Sequence, residues 1–127
     1  MSKSVAVVGA SKLRSKFGNK SVRAHLHAGY QVFPVNIHPS DAEIEGLAVY
    51  HRLSEIPGPI HRVTMYLPPA ITLELLPEIA AVRPLEVWFN PGSHSPTVLA
   101  RAAELGLPAI EGCSIVDLGV SPADFPD

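Results

Sequence analysis

Between Ser4 and Asn36 the chain reads SVAVVGASKLRSKFGNKSVRAHLHAGYQVFPVN, and no other stretch constrains the fold as much. A short apolar run from Val5 to Val8 ends in Gly9-Ala10-Ser11. A basic loop follows, then an amphipathic segment over residues 19–28 closed by Gly29, then a second apolar run ending at Asn36. Strand, loop, helix and strand in this order make a βαβ unit, which buries itself only as part of a parallel sheet. The small-residue turn at the first strand's end offers backbone N–H groups and a helix N-terminus to an anion. That points to a nucleotide-type ligand.

The rest of the chain continues the alternation. Further strands are expected at residues 62–67, 86–89 and 109–110, all short and apolar without polar alternation, as a sheet covered on both faces requires. A short irregular β piece is expected at 48–50. In the first helix Val22, Leu26 and Ala28 line one face. A second helix over 70–82 carries Ile71, Leu75, Ile79 and Val82 at helical spacing, with Pro77 expected to kink or divide it. The third starts at Ser95 as N-cap with Pro96 behind it and closes at Gly106. The fold class is α/β: a Rossmann-like, three-layer, open parallel sheet of about five strands in the order 3-2-1-4-5. Strand three is then the irregular piece or an edge. One domain spans 1–127, with an irregular tail over 117–127 that packs loosely or frays.

Composition excludes several function classes. Ten Lys and Arg against twelve Asp and Glu give a net charge of −2, too little positive charge for broad nucleic-acid binding. Met1-Ser2-Lys3 leads almost directly into the first strand, so no signal peptide is expected, and the sequence holds no apolar run of about 18 residues to cross a bilayer. The expected location is the cytoplasm, with no membrane partner. One cysteine, Cys113, allows no internal disulfide. The six histidines show no metal-ligand spacing, so no metal site is expected. His94 lies at the ligand edge of the sheet. Cys113 is expected to be a buried packing residue. The other reading of it is a thiol at the ligand edge, able to form a mixed disulfide.

The strand-end loops carry the functional signal, because ligands of open α/β sheets bind beyond the carboxyl ends of the strands. Those ends are Gly9-Ala10-Ser11, Val35-Asn36-Ile37, Leu67-Pro68-Pro69, Asn90-Pro91-Gly92 and Gly112-Cys113. They hold almost no acids, bases or nucleophiles, so they make a binding edge without catalytic residues. Lys12, Arg14, Lys16 and Lys20 crowd the first of them. Four cations beside a helix N-terminus oppose its dipole, which calls for an anion. The dinucleotide pattern Gly-x-Gly-x-x-Gly is not met, since Ser11 stands at the second glycine and the next glycine is Gly18. The second strand ends in Asn36, where a nicotinamide dinucleotide site needs an acid for the ribose.

Several segments in order resemble a known family. Val7-Val8-Gly9-Ala10-Ser11, Lys16-Phe17-Gly18-Asn19-Lys20, Ala28-Gly29-Tyr30 through Val35-Asn36, Leu67-Pro68-Pro69, Val87-Trp88-Phe89-Asn90-Pro91-Gly92 and Glu104-Leu105-Gly106-Leu107 are similar to the stand-alone bacterial CoA-binding proteins. These share a domain with the nucleotide-binding part of succinyl-CoA synthetase alpha chains. The resemblance implies CoA or an acyl-CoA as ligand. Gly9, Ala10 and Ser11 would approach the pyrophosphate, and Lys16 with neighbours such as Arg14 would meet the phosphates. Val35, Asn36, Leu67 and Pro68 would flank the adenosine end, and Asn90, Pro91 and Gly92 the other side of the cleft. The chain departs from the family pattern where Ile37-His38 precede Pro39, and where Leu67 replaces an arginine before the paired prolines. It departs again at His61-Arg62 and at Glu111-Gly112. A binding module for CoA is the leading reading, and an enzyme or redox sensor using a nicotinamide dinucleotide is the alternative. The sequence names no protein partner.

Overall fold

The computed structural model describes residues 3–38 and 41–127, so Met1, Ser2, Pro39 and Ser40 lie outside the described residues. In chain order the elements are β1 (Ser4–Val8), α1 (Phe17–His27), β2 (Gln31–Val35), β3 (Glu43–Ile44), β4 (Leu47–Ala48), β5 (Arg62–Met65), α2 (Pro69–Ala81), β6 (Glu86–Phe89), α3 (Pro96–Glu104), β7 (Ala109–Glu111) and α4 (Ser114–Asp117). Five strands form one parallel sheet in the order β2-β1-β5-β6-β7. The irregular piece contributes a single parallel bridge, Tyr50 to Val35, beside β2. Counting that bridge as the third strand, the order runs 3-2-1-4-5, and β7 extends it at the far edge.

The pleat sorts the strand residues onto two faces. Ala6, Val8, Phe33, Val35, Val63, Met65, Val87 and Phe89 pack with Leu76 and Ile79 of α2 and Val98 and Ala102 of α3. Val5, Val7 and Val32 pack on the opposite face with Val22 of α1 and Ile44 of the β3–β4 hairpin. All of β1 is buried. Burial on both faces is why its sequence lacks polar alternation.

The helices differ in detail from their apolar patterns. In α1 the buried positions are Gly18, Asn19, Ser21, Val22, Ala24 and His25, while Leu26 is exposed. The inward face is therefore half polar, and apolar periodicity alone misplaces it. In α2 the buried stripe is Thr72, Leu76 and Ile79, rotated from the expected one. Pro77 lies inside α2, which runs unbroken from Pro69 to Ala81. The α3 helix starts as expected, with the Ser95 hydroxyl accepting from the Val98 N–H at 3.2 Å.

Polar side chains tie the layers together. Asn90 Nδ2 donates to Thr64 Oγ1 at 2.6 Å and to the Met65 carbonyl at 2.8 Å, and its Oδ1 accepts from the Ser114 N–H at 2.9 Å. At the sheet's opposite end buried Arg62 bonds Glu86 and Asp117 and lies over the rings of Tyr30 and Trp88. The segment expected to pack loosely is thus anchored. Asp117 pairs with Arg62 at 2.7 Å, and residues beyond it bond to α1.

Against Arg62 sits His25, fully buried. Its Nδ1 donates to the Ser21 carbonyl at 2.8 Å, and Arg62 Nη1 faces its Nε2 at 3.4 Å. Burial first, and the nearby guanidinium as well, outweigh the Ser21 bond and push its pKa down from 6.5 to about 4. Between these values the unfolded chain holds a proton that the folded chain lacks, so stability rises with pH across that window and is lost as pH falls from 6.5 towards 4. Denaturant unfolding between pH 4 and 7 should show a slope of about one proton, on the order of 3 kcal/mol over the window. His25→Gln should remove that slope. An unchanged slope in the variant would contradict the assignment.

Candidate functional site

The first βα turn is shaped by backbone crowding. Gly9 has φ of +94°, and a Cβ there would lie 3.0 Å from the Tyr66 carbonyl carbon and 3.2 Å from a Leu67 methyl. A Cβ on Gly18 would overlap the Gly9 carbonyl oxygen. The start of α1 therefore rests directly on the end of β1. Gly18 does the work of the glycine that brings helix and strand close in dinucleotide-binding turns, at a longer spacing. The need for glycine at position 9 comes from Tyr66 as well as from any ligand.

Around this contact lies a cleft of about 400 Å³, lined by Gly9, Lys16, Phe17, Gly18, Tyr66 and Leu67 on one side and by Pro68, Pro91, Gly92 and Ser93 on the other. It sits at the carboxyl ends of β1, β5 and β6. No side chain caps α1, and the N–H groups of Phe17 and Gly18 donate to no group among the described residues. The Phe17 ring is 59% exposed at the cleft's edge. The Tyr66 hydroxyl bonds to Ser114 at 3.1 Å, and burial pushes its pKa up, so the phenol stays neutral. Ser93 Oγ donates to the Asn90 carbonyl at 2.7 Å.

The structure brings Gly9, Lys16, Leu67, Pro68, Pro91 and Gly92 together around the cleft. It gives the other expected site residues structural bonds. Ala10 and Val35 are buried, and Asn90 belongs to the interior network. Ser11 Oγ accepts from the Leu13 N–H at 3.1 Å. Asn36 Nδ2 donates to the Ala10 carbonyl at 3.1 Å, and its Oδ1 accepts from the His38 N–H at 2.8 Å, an Asx turn. His94 follows Ser93 without lining the cleft. Cys113 is half-buried, not fully buried, and starts α4 away from the cleft lining.

The four loop cations are not equivalent. Lys12 pairs with Asp41 at 3.3 Å, and Lys20 Nζ donates to the Phe125 carbonyl at 2.7 Å. Arg14 pairs with Glu45 through two nitrogens, at 2.7 and 3.3 Å. Bonds from Arg14 and Asn19 hold the Glu45 carboxyl below its ordinary range. Glu45 itself takes φ of +51°, beside Gly46 in the β3–β4 turn, a left-handed conformation uncommon for a side chain of this kind. Only Lys16 of the four reaches the cleft, and it has no acidic partner among the described residues. The expectation of four cations awaiting one anion reduces to one. The carboxylates that pair the others, Asp41, Glu45 and Asp127, lie far away in sequence.

Residues 3–119 match the family described as CoA binding domain. The chain belongs to that family. Over 80 residues it is 34% identical to the alpha subunit of an ADP-forming acetate–CoA ligase I from Pyrococcus furiosus, an alignment covering 60% of this chain and 17% of the ligase subunit. The CoA-binding domain thus spans a small part of that curated relative. A conserved hypothetical protein from Pyrococcus furiosus has the same fold, with a TM-score of 0.80 and 29% identity over 92% of this chain and 99% of that one. A protein from Thermus thermophilus superposes with a TM-score of 0.82 and 29% identity, covering 91% and 87% of the two chains. No helix among the described residues is long and apolar enough to cross a membrane.

The turn makes a direct prediction. Gly18→Ala should destabilise the domain by about 2 kcal/mol or more, because backbone must move to admit one methyl. Gly9→Val should unfold it further through positive φ and the Tyr66 contact. Denaturant midpoints of both variants check this, and a Gly18→Ala protein as stable as its parent would contradict the packing described.

Proposed function

We propose that this domain binds CoA or an acyl-CoA without catalysing a reaction, with the phosphate-bearing part of the ligand in the cleft over Gly9. The observation that carries this reading is Lys16. It is a cation without an acidic partner among the described residues, set beside an uncapped helix start on a cleft whose other walls are mostly glycine, proline and apolar side chains. An anionic group is attracted by the lysine and by the helix N-terminus. The Phe17, Leu67, Pro68 and Pro91 surfaces suit the apolar parts of the same molecule.

Two further features support the reading. Among the described residues that line the cleft, no pair of groups is set up for proton transfer or nucleophilic attack: the phenol is neutral and bonded to Ser114, and the Ser93 hydroxyl is spent on the Asn90 carbonyl. Both polar ends of the Asn36 amide already hold partners within the turn, and β2 ends in this amide where the ribose hydroxyls of a nicotinamide dinucleotide call for a carboxylate. A cytoplasmic location accords with CoA as the ligand.

Calorimetric titration with CoA, acetyl-CoA, NAD and NADP tests the reading. CoA or acetyl-CoA should bind, and the two nicotinamide dinucleotides should not. Lys16→Ala should cost about 1 kcal/mol or more, the scale of a charge-assisted bond, and parent affinity should fall with added salt because the lysine is exposed. Phe17→Ala should cost on the order of 1 kcal/mol through lost apolar burial. Binding of NAD in preference to CoA would overturn the reading.

A further inference from the structure

Residues 121–127 are bonded to α1 directly behind the loop that carries Lys16. The Phe125 carbonyl accepts from Lys20 Nζ at 2.7 Å and from Arg23 Nη2 at 3.0 Å, and the Pro126 carbonyl accepts from Arg23 Nη1 at 2.8 Å. The Phe125 ring meets the His27 ring edge-on. The segment also has its own local order, a single helical turn over Pro122–Asp124 with Ser121 as its cap. It lies beyond the family match, which ends at residue 119.

The same guanidinium holds the loop. Arg23 Nη2 donates to the Arg14 carbonyl at 3.0 Å, and Nε donates to Asn19 Oδ1 at 2.7 Å. Buried Asn19 in turn donates to the Ser11 carbonyl at 2.9 Å and to Glu45 at 3.1 Å. Every residue from Lys12 to Phe17 is exposed, so no core packing fixes this stretch. Its shape depends on polar ties, and Arg23 joins those ties to the 121–127 segment.

We propose that Arg23 is a positioning residue for ligand binding, the centre of a clasp by which residues 121–127 hold loop 11–16 in the form that presents Lys16 to the cleft. The inference rests on the CoA reading above. A loop that samples many forms binds in proportion to its competent fraction, so a clasp that raises that fraction raises affinity without touching the ligand. By linkage, CoA bound at the cleft must tighten the clasp by the same factor. A planar fork is needed to span Asn19, Arg14 and the two carbonyls together, which a lysine cannot do.

The experiment combines CoA titration with amide hydrogen exchange on the full chain and two kinds of variant. Arg23→Gln should weaken CoA binding about tenfold, within the usual range of such couplings, and Arg23→Lys should not restore it. Phe125→Gly keeps every cation and loosens the segment from the other side. Without ligand, both Arg23→Gln and Phe125→Gly should speed exchange at the Leu13 and Lys16 amides. In the parent, saturating CoA should slow exchange at Asp124. A folded Arg23→Gln protein that binds CoA within about twofold of the parent would overturn the proposal, as would full rescue by Arg23→Lys or unchanged Asp124 exchange on CoA binding. A parent that binds no CoA overturns the functional reading instead. The ligand-free exchange then decides the clasp: faster exchange at Leu13 and Lys16 in both variants supports it as a brace of the loop, and unchanged exchange refutes it.

Discussion

The Gly9 carbonyl and the Gly18 backbone approach so closely that no side chain fits between them. This contact sets where α1 begins relative to β1. Once it is made, the residues between must leave the surface as an exposed loop, because the direct path from strand to helix is already filled. The loop carries Lys16 to the lip of the cleft, and the uncapped N–H groups of α1 come to lie over the strand end. The cleft of about 400 Å³ opens beside two backbones packed without side chains. The paired carboxylates matter for the same reason. Asp41 and Glu45 neutralise Lys12 and Arg14 and leave the lysine nearest the cleft without a counter-charge among the described residues.

Below the cleft the interior holds a polar network. Thr64, Asn90 and Ser114 join β5, β6 and α4 through short hydrogen bonds, with Tyr66 on the same network. Among the described residues no buried side-chain polar atom lacks a partner. Truncating Asn90 strands the Ser114 N–H, whose acceptor is the Asn90 amide oxygen, at a cost of about 1–3 kcal/mol. The network therefore fixes the relative height of β5 and β6, and with it the gap between Leu67-Pro68 and Pro91-Gly92. Arg62 performs a similar service at the other end of the sheet, where it binds the start of β6 through Glu86 and the α4 turn through Asp117.

The sequence made the scaffold legible because strands buried on both faces leave short unbroken apolar runs that glycines and prolines punctuate. All five strands of the sheet and the third helix's cap are visible that way. The buried face of α1 is not, since Asn19, Ser21 and His25 point inward, where Asn19 meets Glu45 and His25 meets Arg62 far along the chain. Pro77 misleads for a local reason: a proline inside a helical pattern argues for a kink, and here the helix continues through it. For the candidate site, motif order pointed to the first βα turn, beside which the cleft lies, yet spacing rules hid the role of Gly18. Charge counting overstated the basic loop, because Asp41, Glu45, Asp127 and the Phe125 carbonyl become neighbours of its cations only after folding. Val35, Asn36 and Asn90 stand at strand ends as expected, but their contacts serve the turn, the core and the interior network.

The proposed anion seat lies where the start of α1 meets the end of β1. The most direct measurement is a titration of isotope-labelled protein with CoA, followed residue by residue through backbone amide NMR shifts. The proposed seat requires the largest changes at Phe17 and Gly18, whose N–H groups have no acceptor among the described residues, with accompanying changes at Lys16 and Gly92. Shifts concentrated between α2 and α3, or around Arg62 at the opposite end of the sheet, with Phe17 and Gly18 unmoved, would contradict it.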